Sequence, residues 1–151
     1  MTDSRHYLEL RFAGQTFLMP NGSDISVEPR ENMQLERRGR AAALRTVQGE
    51  SWLAYALGPD WSPLPESPWT RAVFMSFGAS QPVGLLVDEL KLMPVGSVRI
   101  EPFTPLGPVP VPGRHLFPAA AVGGRAPILV MAPEGLAAYL RSLGGDNGLG
   151  E

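Results

Sequence analysis

Proline and glycine interrupt this chain so often that a long helix has almost nowhere to form. The sequence holds 16 Pro and 17 Gly in 151 residues, and they fall between short apolar runs rather than in one block. Each proline fixes φ and removes a backbone donor, while each glycine invites a turn. Such punctuation predicts many short strands joined by turns. Apolar residues make up 44 % of the chain, enough to bury a sizeable core. The length suits one domain, or two very small units sharing a core.

The runs themselves read as strands. Leu8-Glu9-Leu10-Arg11-Phe12 alternates strictly, "AGQ" turns, and Thr16 to Met19 runs back. A second stretch follows the same order about 65 residues later. Val73 and Phe74 lead to Phe77, "GASQ" turns, and Val83 to Val87 runs back. The repetition predicts two similar all-β units, at 7–57 and 71–132, within a single domain spanning 1–151. "SDISVEP" and "AAALRTVQGESWLAYALG" supply further strands of the first unit, with a turn near Gln48-Gly49. The alanine run before Leu44 is open between strand and helix. Between the units, "GPDWSPLPESPWT" (58–70) carries four prolines and reads as a linker, with Trp61 and Trp69 covering the seam. In the second unit, "EPFTPLGPVPVPGRHLFP" reads as a rigid loop with a PxxP spacing at Pro102 and Pro105, and "RAPILVM" as a buried strand. One helix is expected, over 133–143. Pro133 suits its first turn, Glu134 complements its dipole, and Leu136, Tyr139, Leu140 and Leu143 form one apolar stripe. Residues 144–151 are expected to be a flexible tail.

Composition and spacing exclude much chemistry. With 13 Lys+Arg against 15 Asp+Glu, the net charge of −2 gives no reason to bind nucleic acid or an anionic membrane. Without cysteine there is no disulfide, thiolate nucleophile or Cys-ligated metal. His6 and His115 lie far apart and outside any metal-ligand spacing. No GxSxG elbow, phosphate loop or GxGxxG occurs. Asp88 and Glu89 are adjacent in a strand, so they point to opposite faces and make a poor carboxylate dyad. Asp88 is expected to hydrogen-bond where its strand leaves the core. "ERRGR" (36–40) has the guanidinium groups to grip carboxylate or phosphate, but Glu28, Glu31 and Glu36 dilute it, and it reads as a solvated loop. The chain is expected to be a non-enzyme without cofactor or metal. "MTDSRHYLEL" has no long apolar core and no run approaches the ~18 residues of a spanning helix, so a cytoplasmic setting is expected. The alternative from another class is a β-barrel enzyme or small-ligand binder built on Trp52, Tyr55 and Trp61 with a buried acid.

"PVGLLVDELKLMPV" (82–95), followed by "VRIEP", resembles the hallmark stretch of CheW-like domains. That family shows apolar-Gly-apolar-apolar-Val-Asp, an acidic-apolar step, then an Ile and a Pro. Val83 to Leu90, Ile100 and Pro102 fit that order. "YLELRFAGQTFLMP" looks like the family's opening hairpin, and "GGRAPILVMAPEGL" like its closing strand and last helix. The resemblance covers roughly 7–140 and is weakest in the first barrel, where Arg45 matches the family arginine but Thr46 stands in place of its glycine. It implies two SH3-like five-stranded β-barrels packed side by side, with a C-terminal helix. It also implies a non-catalytic chemotaxis adaptor. The expected partners are the regulatory domain of a CheA-type histidine kinase, and a chemoreceptor helical tip or another CheW-like domain. By resemblance, Arg45 and Leu44 are the expected partner contacts on the first barrel, with Ile25 and Val27 on the groove. A variant of this reading is a CheW-like scaffold repurposed for motility or pilus signalling.

Overall fold

The computed structural model describes residues 6–77, 81–93, 99–102, 119–122 and 128–143. Over these residues the chain is mainly β, in two curled, barrel-like sheets, with one C-terminal helix. The opening hairpin is β1 (Tyr7–Phe12) and β2 (Gln15–Pro20), paired from Tyr7↔Pro20 to Phe12↔Gln15. Its two-residue loop, Ala13-Gly14, has φ of 55° and 74°. Positive φ at both loop positions is the turn whose twist matches that of the flanking strands. The same device, Gln48-Gly49 at 52° and 83°, joins β4 (Ala43–Val47) to β5 (Glu50–Leu57). The alanine run before Leu44 thus leads into a strand.

After each hairpin the chain passes into the other sheet. β2 runs on into β3 (Ile25–Pro29), which pairs not with the opening hairpin but with β7 (Arg71–Met75). β7 forms a hairpin with β8 (Val83–Val87). β8 runs on through Asp88 into β9 (Glu89–Met93), which pairs with β1. The two crossings match in register. Ile25 faces Met75 and Glu89 faces Arg11, the same pair with an offset of 64 exchanged (25 to 89, 11 to 75). The remaining strands complete the correspondence: β8 lies parallel to β5, and β2 lies parallel to β12 (Ile128–Val130).

The first sheet therefore has the order β10-β11-β12-β2-β1-β9, with β10 at Arg99–Pro102 and β11 at Ala119–Val122. The second is β3-β7-β8-β5-β4, with the two-residue β6 (Pro63–Leu64) attached to β5. This corrects the expected sequential split. Residues 7–57 and 71–132 each contribute strands to both sheets. The expected five strands hold for the main path of the second sheet, whereas the first has six among the described residues. The hairpin repetition is real, each hairpin sitting inside its own sheet. Segments 103–118 and 144–151, expected to belong to a loop and a tail, lie outside the described residues.

One core is shared by the two sheets. Leu8, Leu10, Phe12 and Met19 come from the first, and Tyr55, Val73, Val83, Leu85 and Val87 from the second. The helix α1 (Pro133–Leu143) covers it with Leu136, Ala137 and Leu140, as the stripe predicts. The second sheet also encloses its own core, in which Phe74, Trp69 and Leu86 are packed by Ala42, Ala43, Ala54, Ala56 and Ala72. Small side chains let the curled sheet close around the two large rings. Segment 58–70 is a packed turn. Trp61 fits against Phe12, Phe17 and Tyr139 with ring centres 5.7, 5.5 and 6.3 Å away, covering the seam as expected. Trp69 instead fills the second sheet.

β8 is buried at all five positions because it has a core on each face. Gly84 sits at its tightest point. A Cβ there would lie 2.8 Å from Phe74 Cε1 and 3.2 Å from Ala54 Cβ. Phe74 is itself held edge-on by Trp52 at 5.6 Å. Gly84→Ala is expected to cost about 1–3 kcal/mol through overpacking, read as a lower urea midpoint. An unchanged midpoint would mean that the Phe74 ring has room to move.

Candidate partner-binding surface

The four expected contact residues fall into three environments. Ile25 and Val27 share one face of β3 by strand alternation and pack, half-buried, against the margin of the shared core. β3 is an edge strand of the second sheet. The pair thus lies at the margin of the shared core, on an edge strand. Leu44 is different. It is 1 % exposed, with its backbone bonded to Gln34 on one side and paired with Leu53 on the other. As placed, it is core and offers no surface to a partner.

Arg45 closes a barrel. β3 and β4 are at opposite ends of the second sheet's strand order, yet Arg45 Nη1 on β4 lies 2.7 Å from Glu28 Oε2 on β3. The sheet therefore curls until its two edges meet. Leu44 and Gln34 exchange backbone bonds of 3.0 and 2.7 Å beside this contact. The Thr46 hydroxyl donates to the Gln34 side-chain oxygen. Thr46, at the position where the resembled family carries glycine, thus ties β4 to the segment that leads into it. Side-chain exposures of 31 % for Arg45 and 16 % for Glu28 make the pair partly shielded, and Arg45 also lies 5.9 Å from the centre of the Trp52 ring. A charge-assisted bond in that setting is stronger than one fully in water. In the sequence Glu28 stands only as one of the acids near "ERRGR", with no assigned partner. Alternation does put it on the face opposite Ile25 and Val27, but nothing in the sequence pairs it with Arg45 across 17 positions.

Asp88 marks the crossing, as expected of a residue where a strand leaves the core. Its N–H donates to Arg11 O at 2.7 Å in the first sheet, and its carbonyl accepts from the Thr70 hydroxyl at 2.7 Å. Its carboxyl is pushed above the usual range by loss of water, then by neighbouring Glu89, with Arg11 pulling the other way. At the matching crossing, Asp24 O accepts from Ser76 N at 2.9 Å. Both aspartates spend their backbone groups stitching the crossing.

The aromatics of the alternative reading do not converge. Trp52 packs against the core inside the second sheet, whereas Tyr55 and Trp61 belong to the shared core. Among the described residues, no three His, Cys, Asp or Glu side chains gather in a way that would hold a metal ion. No helix there is long and apolar enough to cross a membrane. His6 is exposed, and His115 lies outside the described residues. Of "ERRGR", Arg38 is tied to Glu36 at 3.1 Å and to Ser51 Oγ at 3.0 Å.

Comparison with known proteins reaches the fold and stops there. No family model matches the chain. No curated protein matches it by sequence. Among solved structures, the chain is similar to the scaffolding protein TtCheW from Thermoanaerobacter tengcongensis, with a TM-score of 0.55 and 14 % identity. The match covers 87 % of this chain and 89 % of that one.

If Arg45 and Glu28 act as a pair, reversing either charge alone sets like charges together and is expected to cost about 1 kcal/mol or more. The exchanged pair, Glu28→Arg with Arg45→Glu, is expected to recover most of the loss in a double-mutant cycle read by urea unfolding. Two losses that simply add would show that each residue acts alone.

Proposed function

We propose that this chain is a non-catalytic signalling adaptor of the CheW type. In this reading it couples a chemoreceptor tip, or another CheW-like domain, to the regulatory domain of a CheA-type histidine kinase. The observation that carries it is the likeness of fold to a scaffolding protein over nearly the full length of both chains. The hallmark stretch supports it too. Val83 to Leu90 spans the crossing from one sheet to the other, so the residues that carry the resemblance are those that build the two-sheet frame.

The rim of β3 is the partner surface in this reading. Ile25 and Val27 offer a half-buried apolar pair at a sheet edge, and a docking helix or strand would complete their burial. Arg45 belongs to the frame of that surface, since it holds β4 against β3. A specific observation also favours a changed partner, as in motility or pilus signalling. Arg45 and Thr46 are both engaged within the chain, by Glu28 and Gln34, at the step where the resemblance is weakest.

Calorimetry between this protein and the regulatory domain of a CheA-type kinase from the same organism separates the two. Saturable binding at a fixed stoichiometry is expected for the kinase adaptor. A protein that circular dichroism shows to be folded, but that takes up no kinase domain, would overturn the kinase partner and leave the repurposed scaffold.

A further inference from the structure

Beside the second sheet's own core lies a basic groove that the adaptor reading does not use. Chain 30–42, running from β3 to β4, lies alongside chain 63–69. Between them is a groove of about 370 Å3 lined by Arg30, Leu35, Arg37, Glu66 and Trp69. At Arg37 and Pro65 it adjoins a smaller cleft of about 190 Å3 that includes Arg40. Three guanidinium groups thus face the paired clefts, against the single carboxylate of Glu66.

The arginines differ in how they are held. Arg30 is fixed in place: its Nη1 donates to Trp69 O at 2.9 Å, and its guanidinium lies 4.5 Å from the centre of the Trp69 ring. Arg37 and Arg40 are exposed and have no carboxylate partner among the described residues. Arg38, between them, does have one, in Glu36. Of the three acids that dilute this stretch, Glu28 is held by Arg45 and Glu36 by Arg38, while Glu31 forms no ion pair among the described residues. Leu35 stands at the same groove with 62 % of its surface exposed.

From this arrangement we propose that the groove binds an acidic, extended peptide segment of a partner protein. Its carboxylates would lie on Arg37, Arg40 and the free N–H groups of Arg30, and an apolar side chain would lie on Leu35. The planar guanidinium fork matches a carboxylate with two parallel bonds, which suits an acidic peptide. The site fits nucleic acid poorly. Trp69 is buried and offers no face on which a base can stack, and the chain as a whole is acidic. The inference is independent of the kinase partner, because it rests on other elements than the β3 rim.

The probe is a fluorescein-labelled peptide of repeating Glu-Leu-Asp-Ser, titrated with the full chain and followed by anisotropy. Saturable binding that weakens with salt is expected. Arg37→Glu with Arg40→Glu is expected to weaken it by about tenfold or more, and Lys91→Glu on β9 to leave it unchanged. If the double variant fails to fold, Arg37→Gln and Arg40→Gln singly are each expected to weaken binding by about threefold. Absence of saturable binding would overturn the proposal. So would equal binding by the folded charge-reversed variant or by the Gln-Leu-Asn-Ser peptide. A single-stranded RNA of the same length that binds as tightly as the acidic peptide would replace the proposal with a general polyanion site.

Discussion

The structure depends on the chain passing between its two sheets at matching places. After β2 the chain leaves the first sheet and forms β3 at the edge of the second, and after β8 it leaves the second and forms β9 at the edge of the first. Each sheet takes an edge strand from the chain that follows the other hairpin, so neither is complete without both halves of the chain. The crossings must satisfy backbone groups that no regular ladder serves. Asp88 does this through Arg11 O and the Thr70 hydroxyl, and Asp24 through Ser76 N. Strand β8, just before one crossing, is covered on both faces, which leaves no space for a side chain at Gly84.

This frame has functional consequences. Exchange places β3 and β9 at sheet edges, so each sheet has at one edge a strand from the chain that follows the other hairpin. Ile25 and Val27 gain their half-buried position on the rim in this way. The second sheet then curls shut through Arg45 and Glu28, which positions the chain between β3 and β4 beside the 63–69 turn. The rim and the basic groove are separate surfaces built from different segments.

Much of the fold was legible in the sequence, because its signals are local. Alternation in Leu8 to Phe12, the turn residues Ala13-Gly14 and Gln48-Gly49, and the stripe of α1 each act within a few residues. The repeated hairpins were legible for the same reason. Partnership between strands was not. A run such as Ile25 to Pro29 carries the same pattern whether it pairs with β2 or with β7, and only the three-dimensional packing decides. The site was legible in part. Ile25 and Val27 stand on one face because of strand period. Leu44, by contrast, is buried between Gln34 and β5, and the role of Arg45 depends on Glu28, which comes near only when the sheet curls.

Native-state hydrogen exchange of the full chain tests the exchanged-strand account most directly. If the account holds, amides of β1 and β2 open together with those of β9, and amides of β7 and β8 with those of β3 and β5, so that protection follows the sheets. A division at 58–70, with β1 to β5 opening as one unit while β7 to β9 remain closed, would contradict it.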